Sequence, residues 1–172
     1  MKIKKTALLL LIILVGTTTV LAGDKAELKW RKFDAGVAEA KIAKKKILVD
    51  VYTDWCKWCK KLDAEVYTNP KVVEYLNKYY IPVKVNGEGK ENLKYKGETI
   101  TESGLTQGFG ITGFPTILFL DSNGDAINKL GSFVPADQFL LIVQYIGGEH
   151  YKKISFEEFT KNKDVQPKKN PY

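Results

Sequence analysis

The sequence predicts one α/β domain, in which helices cover both faces of a mixed β-sheet. Two observations support this. In the first half of the chain, amphipathic stretches alternate with short apolar runs rich in β-branched residues, an order typical of parallel β-α-β units. In the second half, the apolar run 116–120 is followed by the turn sequence 122–125 and another strand, which predicts an antiparallel hairpin. A sheet with both kinds of pairing is mixed.

The predicted elements follow the hydrophobic pattern along the chain. Asp34 is a candidate N-cap for the first helix, and Pro70 suits the first turn of the third helix. The polar, glycine-containing segment 87–101 predicts a surface loop or insertion. Ser155 and Glu158 form a candidate capping box for a short last helix. The predicted order is helix 34–45, strand 47–53, helix 56–66, helix 70–79, strand 80–86, helix 103–109, strand 116–120, strand 126–130, helix 135–145 and the last helix.

The first 22 residues have the three-part pattern of a secretory signal peptide. Three lysines lie within the first five residues, residues 7–15 are all apolar, and Val20-Leu21-Ala22 is a small-residue cleavage pattern. We therefore predict cleavage after Ala22 and export to the periplasm or another extracytoplasmic space. An uncleaved membrane anchor is the alternative, although the apolar run is short for a span.

Removal of this leader leaves about 150 residues, the length of one domain. We predict that the domain covers residues 23–162 and that residues 163–172 form a flexible tail. The formal charge of +7 includes three leader lysines, so the mature chain is near +4. Its lysines are widely spread among acidic residues, which indicates a solvated surface and argues against nucleic-acid binding.

The only two cysteines, Cys56 and Cys59, lie at the predicted start of a helix. Side chains at i and i+3 of a helix share a face, within reach of a disulfide. A bridge this short closes too small a loop to stabilise the fold much, so redox chemistry is favoured over an inert structural bridge. Cys56 is the predicted nucleophile, because a helix N-terminus stabilises a thiolate. Cys59, which we expect to be more buried, would resolve the mixed disulfide.

Other uses of the cysteine pair fit less well. A structural zinc site needs four ligands, and the chain offers two cysteines and the distant His150. Covalent haem attachment needs a histidine after the second cysteine, where this chain has Lys60. We therefore expect no metal and no cofactor besides the redox-active disulfide.

Two motifs together resemble the thioredoxin superfamily. Residues 49–60 are similar to its strand, Trp-Cys-x-x-Cys and helix start, and Gly113-Phe114-Pro115-Thr116 is similar to the segment around its cis-proline. The resemblance covers about residues 28–146 and implies the thioredoxin fold. It is strongest toward exported thioredoxin-like proteins, including the C-terminal domain of the transmembrane thiol:disulfide interchange reductase. Lys57-Trp58 replaces the Gly-Pro pair of thioredoxin.

The resemblance also implies roles for two charged residues. Asp50 matches the buried acid that moves a proton to or from the resolving cysteine. An acid within an apolar strand should have a raised pKa, which suits that role. Lys84 resembles the lysine beside this acid, although a solvent-facing strand position is the alternative.

Four further residues are expected to bind the substrate. The resemblance implies a cis peptide bond before Pro115, and it implies that the Phe114 backbone pairs with an extended substrate segment. Trp55 and Trp58 flank the cysteines, and Trp58 could offer an apolar docking surface. Packing of Trp58 in the core is the alternative.

The predicted function is that of a monomeric, exported thiol:disulfide oxidoreductase that exchanges its dithiol or disulfide with protein substrates. The resemblance favours a reductant that receives electrons from a membrane thiol donor. Lys57 argues in the other direction, because a nearby positive charge stabilises a thiolate and makes the protein more oxidising. A thiol oxidase or disulfide isomerase of secreted proteins is one alternative, and a non-catalytic peptide-binding module is another.

Overall fold

The computed structural model describes residues 27–161. The predicted signal peptide, 1–22, and the predicted tail, 163–172, lie outside the described residues. The strands are Lys46–Tyr52 (β1), Tyr80–Asn86 (β2), Asn92–Tyr95 (β3), Glu98–Thr101 (β4), Thr116–Leu120 (β5) and Ala126–Gly131 (β6). The helices are Phe33–Ala43 (α1), Lys57–Glu65 (α2), Pro70–Tyr79 (α3), Glu102–Gly108 (α4), Ala136–Gly147 (α5) and Phe156–Lys161 (α6), with a 3₁₀ turn at His150–Lys152.

Four strands form the central sheet in the order β2-β1-β5-β6. β1 pairs parallel with β2 and antiparallel with β5, and β5 pairs antiparallel with β6. The predicted mixed α/β sheet is therefore confirmed. Successive side chains of β1 face opposite sides. Leu48 belongs to the core cluster that includes side chains of α2, α3 and α5, whereas Ile47 and Val49 belong to the cluster with α1 and α4.

The segment predicted as a surface loop, 87–101, contains a β-hairpin formed by β3 and β4. Lys96 and Gly97 make its turn with positive φ angles of 52° and 89°. Leu93 of β3 is buried, and the ring of Tyr95 packs edge-on against Phe33 of α1 at 6.0 Å. The prediction was wrong because four-residue strands with one buried apolar residue carry little periodic signal.

Some helices start at a side-chain cap, whereas α1 and α5 start without one. Asn69 Oδ1 accepts from the backbone N–H groups of Lys71 and Val72, so α3 begins at Pro70 as predicted. Asp34 is not an N-cap, because α1 begins one residue earlier, after Lys32. Its carboxylate instead accepts from the backbone N–H of Lys94 at 2.7 Å, which ties the hairpin to α1.

Candidate active site

The two cysteines are joined by a disulfide at the start of α2. Cys56 is the N-cap residue, and its sulfur accepts a hydrogen bond of 3.0 Å from the backbone N–H of Cys59. Both residues are almost fully buried, at 3% and 2% exposure, so Cys59 is not clearly the deeper of the two. The N–H donor and the helix N-terminus would both stabilise a thiolate on Cys56 after reduction.

Asp50 lies on β1 and is completely buried. It shares the sheet face of Leu48, the face that packs against α2, because alternate residues of a strand point the same way. Burial raises the pKa of Asp50 to about 6, although the positive charge of Lys84 opposes the shift. Neither carboxylate oxygen has a hydrogen-bond partner among the described residues. Asp50 can therefore take up or release a proton near neutral pH.

Lys84 lies beside Asp50 on the adjacent strand, because the register of β1 and β2 pairs these two residues. Its Nζ lies 3.0 Å from Asp50 Oδ2, an ion pair without hydrogen-bond geometry. It also donates to Asp63 Oδ1 at 2.5 Å. Burial lowers the pKa of Lys84, but the two carboxylates outweigh burial and raise it overall. Lys84 is thus a half-buried cation held between two acids, not a solvent-facing strand residue.

Sequence reasoning did not identify Asp63 as part of this cluster. It follows Cys59 by four residues on α2, so both side chains lie on one helix face. That spacing was the available signal. Asp63 therefore connects the redox helix to the Asp50–Lys84 pair.

Trp55, the residue directly before Cys56, is 65% exposed. Its indole N–H donates to Glu88 at 3.0 Å, and its ring meets Phe114 edge-on at 6.0 Å. The peptide bond between Phe114 and the buried Pro115 is cis. Of the expected substrate-binding residues, Trp55 and Phe114 thus contact each other, and Pro115 is buried next to Phe114 in the chain.

Trp58, which lies between the two cysteines in the chain, is 55% exposed. Its ring packs against Phe133 with centroids 5.5 Å apart. The ammonium of Lys61 lies 5.4 Å from the Trp58 ring and 5.0 Å from the Phe133 ring. Sequence reasoning missed Phe133, which is 75 positions away from Trp58 in the chain. The surface around Trp58 is thus aromatic and cationic.

Residues 27–161 contain no group of three or more His, Cys, Asp or Glu side chains that could hold a metal ion. His150 packs against the ring of Phe159 at 4.8 Å, and burial lowers its pKa. Within the same residues, every helix is too short or too polar to cross a membrane.

Comparison with known proteins gives consistent matches. A family model described as a thioredoxin-like domain matches residues 33–147. The thiol:disulfide interchange protein DsbD of Haemophilus ducreyi is 31% identical over 99 residues, which is 56% of this chain and 16% of that protein. The DsbD protein of Yersinia pestis is 31% identical over 103 residues, 58% of this chain and 16% of its own length. The chain thus spans about a sixth of these relatives.

A solved thioredoxin-fold protein from Helicobacter pylori superposes with a TM-score of 0.58 at 23% identity. The match covers 69% of this chain and 80% of that one. At this identity the similarity establishes the fold. It agrees with the sheet order and the flanking helices described above.

Proposed function

Because the chain belongs to the thioredoxin-like domain family and is a thiol:disulfide oxidoreductase, we propose that it works outside the cytoplasm as a reductant of protein disulfides. The observation that carries this proposal is the Cys56–Cys59 disulfide at the N-terminus of α2, flanked by exposed aromatic surfaces. The buried Asp50 supplies a proton acceptor on the sheet face beneath that helix. The similarity to DsbD proteins supports the direction of electron flow, and the signal peptide predicted from the sequence supports the location.

The proposed reaction begins with the dithiol form. The Cys56 thiolate attacks one sulfur of a substrate disulfide, which forms a mixed disulfide and expels the other sulfur as a thiolate that takes a proton from water. Cys59 then gives its proton to Asp50, and its thiolate attacks the Cys56 sulfur. The second substrate sulfur leaves as a thiolate and takes a proton from water, and Asp50 returns the Cys59 proton to water. Two electrons have passed to the substrate, which becomes a dithiol, and the protein holds the disulfide seen in the structure.

Each site residue has a proposed role in this sequence. The N-terminus of α2 and the Cys59 N–H stabilise the thiolate of Cys56. Lys84 favours the ionised form of Asp50, so that it can accept a proton. An extended substrate segment would pair with the Phe114 backbone and contact the exposed indoles of Trp55 and Trp58.

Return to the dithiol form requires a second thiol protein. We propose a membrane-bound dithiol electron donor, whose own cysteines become a disulfide as the Cys56–Cys59 bridge is reduced. The protein would act as a monomer, with no cofactor besides the disulfide and without nucleic acid. We also propose that residues 1–22 are the cleaved leader of the domain 23–162, followed by the tail 163–172. Mass spectrometry of the exported protein tests the cleavage after Ala22.

Insulin reduction with dithiothreitol as electron source tests the activity. We expect turnover for the wild type, none for Cys56→Ser, and accumulated mixed disulfides for Cys59→Ala. Lys29→Ala, an exposed change in the same domain, is the matched control and should retain wild-type turnover. An inactive wild type, or full activity of Cys56→Ser, would support the non-catalytic peptide-binding alternative.

Equilibration with glutathione tests the direction. A reductant should have a potential closer to the thioredoxin value of about −270 mV than to the DsbA value of about −120 mV. A value near −120 mV would instead support the oxidase or isomerase alternative. The hydrogen bond from Cys59 to the Cys56 sulfur works toward that alternative, because it stabilises the reduced form.

A further inference from the structure

The ammonium group of Lys84 is enclosed by groups from several parts of the fold. Two carboxylates contact it, those of Asp50 and Asp63. Three aromatic rings surround it, with centroids 4.9, 5.0 and 5.9 Å from Nζ: Trp30, Tyr52 and Tyr67. A cation over an aromatic face is attracted to the ring, and the attraction grows when water is excluded.

Trp30 is the member of this enclosure that comes from outside the matched family region, 33–147. Two backbone hydrogen bonds of the next residue, Arg31, hold Trp30 in place. The Arg31 N–H donates to the Pro82 carbonyl at 3.0 Å, and the Lys84 N–H donates to the Arg31 carbonyl at 3.1 Å. The Trp30 ring then meets Tyr67 edge-on at 4.9 Å. The segment before α1 therefore fixes an indole ring over Lys84.

The Trp30 ring also borders the solvent-accessible space around Lys84. Two clefts, of about 630 and 690 Å³, flank this point, and both are lined by Trp30 and Lys84. The Lys84 side chain is 22% exposed, and removal of the indole would widen solvent access to its ammonium group. Lys84 could then turn outward while keeping Asp63, whose side chain is 46% exposed, as its partner.

We propose that Trp30 is a positioning residue for the exchange reaction, whose ring holds the Lys84 ammonium against Asp50. The inference rests on the proposed function, in which Asp50 accepts the proton of Cys59. Without the ring, the positive charge moves away from a carboxylate that is fully buried. A buried carboxylate that loses a nearby cation ionises less readily.

Several titratable groups face this cluster, and the test must separate them. Tyr52 and Asp50 come from β1, Asp63 from α2, and Tyr67 from the turn after α2. Burial raises the pKa of both tyrosines, so they stay neutral below pH 8. β5 lies on the other side of β1 from β2, and its residue paired with Asp50 is Ile117, which does not titrate. Cys59 becomes titratable in the dithiol form.

Two measurements on the reduced protein test the proposal. Carbon-13 NMR follows the Asp50 carboxyl during titration, with Asp50→Asn to assign the signal. Rapid-quench kinetics follows exchange with insulin from pH 5 to pH 8. Trp30→Ala should raise the Asp50 midpoint by about 0.5 to 1 on the pH scale, with a three- to tenfold slower rate at pH 5 that recovers toward pH 8.

Matched variants show whether Trp30 acts through its ring and through Lys84. Trp30→Phe keeps a ring and should titrate close to wild type, whereas Trp30→Leu fills space without a ring and should behave like Trp30→Ala. Lys84→Met should raise the midpoint at least as much, and adding Trp30→Ala to it should change nothing more. Lys29→Ala is the control in the same segment.

Three results would overturn the proposal. They are an unchanged Asp50 midpoint in Trp30→Ala, an equal loss of rate at every pH, and additive midpoint changes in the double variant. If Trp30→Ala does not fold, the comparison of Trp30→Leu with Trp30→Phe decides in its place. Failure of the proposed function is distinguishable, because a wild type that does not reduce insulin can still be titrated by NMR.

Discussion

Replacement of Asp50 by asparagine should stabilise the protein at neutral pH. The carboxyl has a pKa of about 6 in the fold against 3.8 for an ordinary aspartate. The folded state therefore binds the proton more tightly than the unfolded state. The Asp50 carboxyl therefore stabilises the folded state over the unfolded state fully below pH 3.8, and this stabilisation is lost as the pH rises to about 6. At about 1.4 kcal/mol per tenfold change in proton affinity, the loss at pH 7 is about 3 kcal/mol.

Asp50→Asn removes this loss because a neutral amide replaces a buried charge of similar shape. We expect the oxidised variant to gain about 3 kcal/mol in guanidinium unfolding at pH 7, or about 6–12 °C in Tm. At pH 4 the gain should fall below about 1 kcal/mol, since the wild-type carboxyl is then protonated in the fold. Asp137→Asn, at an exposed position in α5, should show no such pH dependence. A gain of equal size at both pH values, or a loss at pH 7, would refute the reasoning.

Three other substitutions probe packing, capping and docking. Gly87→Ala should cost about 1–3 kcal/mol in denaturant unfolding, because a Cβ there would collide with the Phe114 ring; wild-type stability would show that the ring moves freely. Asn69→Ala should lower stability by about 1 kcal/mol, measured the same way, through loss of the α3 cap. Trp58→Ala should raise the KM for insulin about 2- to 10-fold, because the variant loses the exposed indole and its contact with Phe133. A change confined to kcat would contradict a docking role for Trp58.

The sequence predicted most of the central fold because its strands and helices carry strong local signals. The bounds of β2, α3 and β5 match the predicted ranges, since apolar runs or a Pro70 start define them. The β3–β4 hairpin was missed because its stability comes from contacts with α1 rather than from its own pattern. Leu93 and Tyr95 acquire partners only when distant segments meet.

The candidate site was predictable where chemistry is encoded by spacing. Cys56 and Cys59 are neighbours on any helix that starts at this point. Asp50 and Lys84 were identified only through family resemblance, which also implied that the lysine lies beside the acid; the register of β1 and β2 pairs the two residues directly. Trp30 had no local signal, because its position over Lys84 follows from the path of the chain before α1.

The bridge between Arg31 and Val83 also has a consequence for self-association. β2 is an outer strand of the central sheet, and unpaired backbone groups on such a strand can recruit another chain. Arg31 occupies the N–H of Lys84 and the carbonyl of Pro82, while Pro82 itself has no N–H to offer. A variant that begins at Phe33 would leave the Pro82 carbonyl and the Lys84 N–H without these partners. We expect it to aggregate more readily through strand-to-strand pairing.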